Sequence, residues 1–393
     1  MSVWDRFYRL DYLDLAFVNN RSAEKATIYG NGQNRIAISL KVKVVDKDNN
    51  PLVIPADELQ GRAHLVEYLS GRRLNWEGNA PNNFKPWIYT RHSNDYIIVP
   101  SFDTFLSDSY VDTQTGEQEV IFYLYATDVS SGIDIAAGFN VPGVGDFNTS
   151  ESGANTRNGP RGETGTPFKS PQRRHVRAIP KINYNDKTNI EMIAEPLVFE
   201  NSFSWMSRFS ISGPYLGHQN GEVWSRAVKF KPKNLERFKK WSIVYDIIKN
   251  EDVNRDVVPW ANALSDQAGF SCIIGPDYPC SVIHRPNKGD GSQAHVNFWY
   301  NPEKGNFEIN GHYLLEDNSY LYRLSVFGKG THTRNETPTM YLYKFIIPEN
   351  NTRQTVWHDA SKPVKAQVTD MFGNTGEFGI SFDKDNFDIP ALS

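Results

Sequence analysis

Cysteine is nearly missing from this sequence, with 2 in 393 residues, and methionine is scarce at 5. A small scaffold stapled by disulfides needs far more cysteine, so that class is excluded. Long apolar runs are missing too. No stretch approaches the roughly 18 apolar residues that read as a membrane helix, and membrane insertion is not expected. Neither sign of charge is in excess: 42 Lys and Arg stand against 46 Asp and Glu, a net charge of -4. Such a balance gives no general attraction to nucleic acid or anionic lipid. The Leu/Ala/Glu/Lys bias of a helical protein is also absent. Asp5, Asp11 and Asp14 interrupt the first residues. The expectation is therefore cytoplasmic synthesis without a signal peptide, followed by release through lysis or as part of a particle.

Signatures of chemistry are equally scarce. There is no Gly-x-Ser-x-Gly elbow, no His-Glu-x-x-His pair and no phosphate-loop lysine, and Gly143-Val144-Gly145 lacks the third glycine of a dinucleotide fingerprint. Cys272 and Cys280 lie eight positions apart around Gly275, Pro276 and Pro279. Such a turn brings them within disulfide range or leaves two unpaired thiols; with His284 and His295 the spacing is too long for a usual zinc site. Asp46, Asp48 and Asn50 begin like a calcium loop, but Pro51 replaces the turn glycine and Asp57 the bidentate glutamate. Asp383, Asp385 and Asp388 share those defects. No metal, no cofactor and no enzymatic role are expected. A hydrolase whose acids carry no motif is the third-ranked reading, because only geometry reveals a carboxylate pair.

What the chain does have is aromatic residues: 23 Phe, 19 Tyr and 9 Trp. It also has strand periodicity. Ile36, Ile38, Leu40, Val42 and Val44 alternate with Ala37, Ser39, Lys41 and Lys43, which predicts a half-buried strand. Further strands are predicted over 63–69, 86–90, 96–99, 119–126 and 133–139. In the second half they are predicted over 203–211, 223–230, 295–300, 307–309, 320–327, 340–347, 364–368 and 376–382. Asn-Gly pairs at Asn31, Asn158, Asn220 and Asn310 predict tight hairpin turns, the last most strongly. Residues 234–249 place Leu235, Phe238, Trp241, Tyr245 and Ile248 on one helical face, yet 241–247 reads equally well as a strand. Residues 142–181 are rich in Gly, Pro, Ser and Thr and close with Lys169, Arg173, Arg174, Arg177 and Lys181. They read as a linker or arm.

Val44-Val45-Asp46-Lys47-Asp48-Asn49-Asn50 and Val368-Thr369-Asp370-Met371-Phe372-Gly373-Asn374 share a strand-then-turn pattern. It resembles that of bacterial immunoglobulin-like domains in surface adhesins. The resemblance implies a sandwich fold and nothing about activity.

The expected fold is mainly all-β. Two antiparallel β-sandwich domains, immunoglobulin-like or jelly-roll-like, are joined by a long Gly/Pro-rich arm, with at most one or two short helices. The divisions are an aromatic N-terminal arm over 1–19, a first domain over 20–141, the connecting arm over 142–181 and a second domain over 182–393. Trp4, Phe7, Tyr8 and Leu10 read as an arm that caps its own domain or enters a neighbour. Trp76, Trp87, Tyr89, Trp299 and Tyr300 sit among Asn and Asp and read as a carbohydrate- or partner-binding set. The function expected first is self-association as a non-enzymatic structural subunit of a bacterial or phage particle, fibre, inclusion or injection-type apparatus. The alternative is a leaderless toxin or lectin-like protein that binds host-surface glycans.

Overall fold

The period-two pattern over 36–44 becomes a strand, and the chain is mostly β. A computed structural model describes residues 2–79, 84–103, 116–168, 173–196, 198–208, 215–244, 364–382 and 390–392. It also describes the strand backbones at 262–264, 267–274, 293–301, 306–314, 321–329 and 339–346, and the 199–227 stretch as backbone. Two units emerge: residues 1–182 with 371–374, and residues 183–370 with 375–393.

The first unit contains β1 (Arg9–Phe17), β2 (Lys25–Tyr29), β3 (Ile36–Val45), β4 (Ala63–Glu67), β5 (Asn75–Trp76) and β6 (Trp87–Thr90). It continues with β7 (Ser101–Asp103), β8 (Gln118–Ala126), β9 (Ser130–Val141), β10 (Gly145–Asn148) and β11 (Arg174–Ile179). One sheet runs β1-β3-β8-β6-β5; the other runs β10-β9-β11-β2-β7, with β4 also on β9. Pairing is antiparallel except for β11 on β2 and β5 on β6. Both sheets feed one buried cluster: Ile38, Leu40, Val42, Phe122 and Leu124 from the first meet Ile135, Phe139 and Val176 from the second.

The strand β3 departs from its expected half-burial. Its apolar face is buried as predicted, but Ala37, Ser39 and Lys41 are buried as well. Polar partners make this possible: Lys41 pairs with Glu117 at 3.3 Å, and the Ser39 hydroxyl donates to Glu119.

The only α-helix among the described residues is α1 (Ala56–Arg62), in keeping with the one or two short helices expected, though at a place the sequence does not mark. Asp57 and Glu58 in its first turn and Arg62 in its last suit the helix dipole, and Leu59 anchors it in the core. No helix of the described residues is long and apolar enough to cross a membrane.

The expected strand over 96–99 is a loop, because the buried Asn34 amide takes the Tyr96 and Ile98 carbonyls at 3.0 and 2.9 Å. The N-terminal residues pack onto their own unit: β1 pairs with β3 along its length, and Phe7 and Leu10 are buried. The stretch 142–181 carries β10 and β11 and buries Phe147, Thr149, Ser150, Val176 and Ala178, all within the first unit. In the Asp46 turn, the carboxylate accepts the Asp48 and Asn50 amides, both at 2.9 Å, while Asn49 adopts φ 64°. The Asn50 amide holds the Asp46 carboxyl below its ordinary range, so its oxygens serve the turn.

The second unit contains β12 (Ile190–Ala194), β13 (Val198–Arg208), β14 (Tyr215–Pro232), β15 (Lys240–Val244), β16 (Asn262–Leu264), β17 (Gln267–Ile274) and β18 (Gln293–Asn301). It ends with β19 (Asn306–Leu314), β20 (Leu321–Lys329), β21 (Thr339–Ile346), β22 (Val364–Thr369), β23 (Thr375–Phe382) and β24 (Pro390–Leu392). One sheet runs β16-β17-β21-β14-β13-β20-β19-β18 with β12 on β14; the other runs β15-β22-β23-β24. Tyr184, Phe230, Phe238 and Phe378 are buried, with Tyr184 edge-on to Phe238 at 5.1 Å and its hydroxyl donating to Asp370 at 2.9 Å.

Two sequence expectations are corrected in this unit. Residues 234–239 form turns and bends where a helix was one reading, while the strand alternative holds over 240–244 as β15, whose Trp241 lies opposite Val368 of β22; residues 245–249 lie outside the described residues. The Asn220 and Asn310 pairs lie inside β14 and β19, not at turns. Their partner strands run past them, pairing Asn220 with Ser204 and Asn310 with Ser325, so the ladder continues. The Asn31 turn does form: its Oδ1 accepts the Gln33 and Asn34 amides, and Gly32 adopts φ 74°.

Candidate functional site

Among the described residues, a cleft begins where two paired strands separate. β8 is joined on one side to β3 from Gln118 to Leu124, and on the other to β6 from Tyr123 to Ala126. After Thr90 the chain leaves the ladder: the His92 amide donates to the Thr90 hydroxyl at 3.2 Å, and Arg35 holds the His92 carbonyl. At the other end, the Gln118 side-chain amide bonds both the N–H and the C=O of Ile54 at 2.8 Å. Between these closures, residues 119–122 have no strand on their second side among the described residues. At about 3.3 Å per residue this free edge is roughly 13 Å long.

Helix α1 and the 91–92 segment flank that edge. Together they enclose a cleft of about 620 Å³ lined by Ala56, Leu59, Gln60, Arg91, His92, Glu119, Val120 and Ile121. Ala56, Leu59, Val120 and Ile121 supply apolar surface. Glu119 is already neutralised by Arg21 at 3.0 Å. Arg91 donates to Gln60 at 3.0 Å and lies 5.2 Å over the Trp76 ring.

A polar hub lies behind His92. Glu77 accepts from the Tyr125 hydroxyl at 2.9 Å and from Arg35 at 3.4 Å, while Arg35 lies 4.8 Å over the Tyr125 ring. Burial alone raises the Glu77 carboxyl, but hydrogen bonds from Thr90 and Tyr125 and the charges of Arg35 and His92 outweigh it and hold it below its ordinary value. Burial and the Glu77 partner push Tyr125 up to about 12. The hub fixes the 91–92 wall of the cleft.

The structure gathers three of the predicted binding aromatics near this corner, two of them buried. Trp87 and Tyr89 are 2% and 4% exposed. The Trp87 indole donates to Ser130 at 3.2 Å, and Tyr89 packs edge-on to Phe122 at 5.4 Å. Both are core residues. Trp76 is half-buried, edge-on to Tyr89 at 4.9 Å, and serves as the bed for Arg91. Trp299 and Tyr300 sit on β18 opposite Glu308 and Phe307, far along the chain from this corner. Of the predicted arm residues, Trp4 donates its indole N–H to Glu58 and packs 6.3 Å from Phe139, and Phe7 packs 6.3 Å from Phe147. Leu10 is buried, and the Tyr8 amide joins the Val45 carbonyl at 3.0 Å. Arg91, His92, Gln60 and Glu119 were not singled out by sequence reasoning. No local motif marks them, since the cleft exists only because β6 leaves β8.

Two other clusters carry titratable groups. His64 on β4 is buried, and burial first and Arg73 second lower its imidazole to about 4. Asp134 on β9 accepts from His175 at 2.8 Å and from Arg173 at 3.2 Å, with Arg173 lying 5.6 Å over the Tyr68 ring. This is a cross-strand pair in register. Among the described residues, no group of three or more His, Cys, Asp or Glu is placed to hold a metal ion. Cys280 and the Asp383–Asp388 candidates lie outside the described residues.

No family model matches the chain, and no curated protein does. Among solved structures, a crystal structure of a structural-genomics protein of unknown function from Bacteroides ovatus covers 84% of this chain and 99% of its own. At 8% identity and a TM-score of 0.16 that similarity carries no argument about fold or function.

Proposed function

We propose that the chain is a non-enzymatic protein that works by association, a self-assembling structural subunit of a bacterial or phage assembly, and that a neighbouring chain joins it by strand addition at β8. The observation that carries this reading is the edge at 119–122, unpaired on its second side among the described residues and flanked by α1 and the 91–92 segment. An unpaired edge is a template for another backbone, and folded proteins ordinarily cover or blunt it. Two sheets sharing one buried cluster support a β-sandwich description of the first unit. The N-terminal arm is spent on its own unit, which moves the joining element from the arm to the cleft. Light scattering across a wide concentration range, paired with amide hydrogen exchange, tests the reading. Assemblies that grow with concentration, with slowed exchange at 119–122, are expected. A monomer at every concentration, whose 119–122 amides pointing away from β3 exchange freely, refutes it.

A further inference from the structure

We infer that the strand entering the cleft is acidic: an extended segment with carboxylate side chains at alternate positions and apolar ones between them. This rests on the association reading and specifies the chemistry of the partner. An extended backbone pairs with 119–122 through its own N–H and C=O groups, which carry no sequence information. Specificity then comes from the walls. Arg91 is held in place by Gln60 and the Trp76 ring, and among the described residues no carboxylate lies within ion-pair distance of it. His92 stands beside it on the same wall. The one acid in the lining, Glu119, is occupied by Arg21 and Ser39. With that pair closed, the lining presents unmatched positive charge beside the apolar surface of Ala56 and Ile121. Side chains two apart on a strand share a face, so an alternating acidic and apolar segment addresses both surfaces at once.

The probes are a blocked heptapeptide alternating valine and aspartate and its counterpart alternating valine and lysine, each titrated into the full chain. Binding and hydrogen exchange at 119–122 are read together. The aspartate peptide is expected to slow exchange at 119–122 and to bind about tenfold more tightly than the lysine peptide at low salt, a preference that shrinks as salt screens these exposed charges. Arg91→Glu should reverse the preference, and Arg91→Gln should abolish it while leaving unfolding unchanged. Equal binding of the two peptides overturns the acidic assignment but leaves strand addition standing. No peptide binding in a protein that still assembles, with 119–122 slowed, also overturns it and leaves the association reading intact. Neither binding nor assembly overturns both. Slow exchange in the free monomer at those 119–122 amides that point away from β3 shows the edge already occupied and overturns the assignment.

Discussion

Acidification should weaken the first unit well before its carboxylates titrate, through His64. β4 sets His64 opposite Gly138 of β9, and the ring occupies the space that a Cβ on Gly138 would need, 2.4 Å from Nε2. Nδ1 lies 3.1 Å from the Arg62 carbonyl. Burial, and then the Arg73 charge, lower the imidazole from 6.5 to about 4, against the opposing pull of the Arg62 carbonyl and Asp146. The folded-state value is the depressed one. The unfolded chain therefore binds a proton that the native state refuses, and stability is full above 6.5 and lost as pH falls towards 4. At about 1.4 kcal/mol per unit, the whole shift is worth roughly 3 kcal/mol, of which about 2 kcal/mol is lost between pH 6.5 and pH 5. Urea unfolding of the wild type and of His64→Gln, followed by tryptophan fluorescence at several pH values, isolates the term. Between about pH 7.5 and pH 5 the wild type should lose about 2 kcal/mol more than the variant. Equal losses, or an imidazole that titrates near its ordinary 6.5 by NMR, refute the reasoning.

Other perturbations have defined outcomes. Lys41→Met leaves Glu117 unpaired in a site where both side chains are under 10% exposed. It should cost about 3–5 kcal/mol in denaturant unfolding, with most of that recovered when Glu117→Leu is added. Gly30→Ala places a Cβ 2.4 Å from the Asp128 carbonyl oxygen, a backbone atom that cannot swing away. A loss of about 1–3 kcal/mol is expected, read as a lowered Tm. Deleting residues 1–18 removes β1 together with Phe7, Leu10, Leu13, Leu15 and Phe17 from the core. It should unfold the first unit rather than merely prevent assembly, and circular dichroism distinguishes the two.

The strands were legible because burial imposes a period of two, and the residues that show it on β3, β8 and β9 are the ones the core holds. Ser39 and Lys41 were misread as a solvent face, because alternation reports polarity and not the partners that let a polar face be buried. The Asn310 and Asn220 turns failed for a related reason. A dipeptide's turn preference is worth little against a ladder that pairs on through it. Asn34 shows the converse, where one buried amide captured the carbonyls of a stretch whose composition favoured a strand. The cleft was illegible throughout. It depends on where β6 ends relative to β8, a relation between residues some thirty positions apart that no local pattern records. Of the aromatics singled out in the first unit, Trp87 and Tyr89 belong to its core, and Trp76 supports an arginine beside the cleft.

The parallel pairing of β2 with β11 has a consequence for how the chain is made. Arg177 reaches back to Thr27 across 150 positions of sequence. At about 5–20 residues per second, β2 leaves the ribosome roughly 8–30 s before its partner exists. During that interval the second sheet lacks the strand that stands between β9 and β2, and the turn at 371–374 that completes the first unit comes later still. Folding of the first unit is thereby tied to distant closures, a topology that favours slow acquisition of structure and prolonged exposure of unpaired edges. A nascent chain halted short of β11 is the species in which those edges are most available to a chaperone or to another copy.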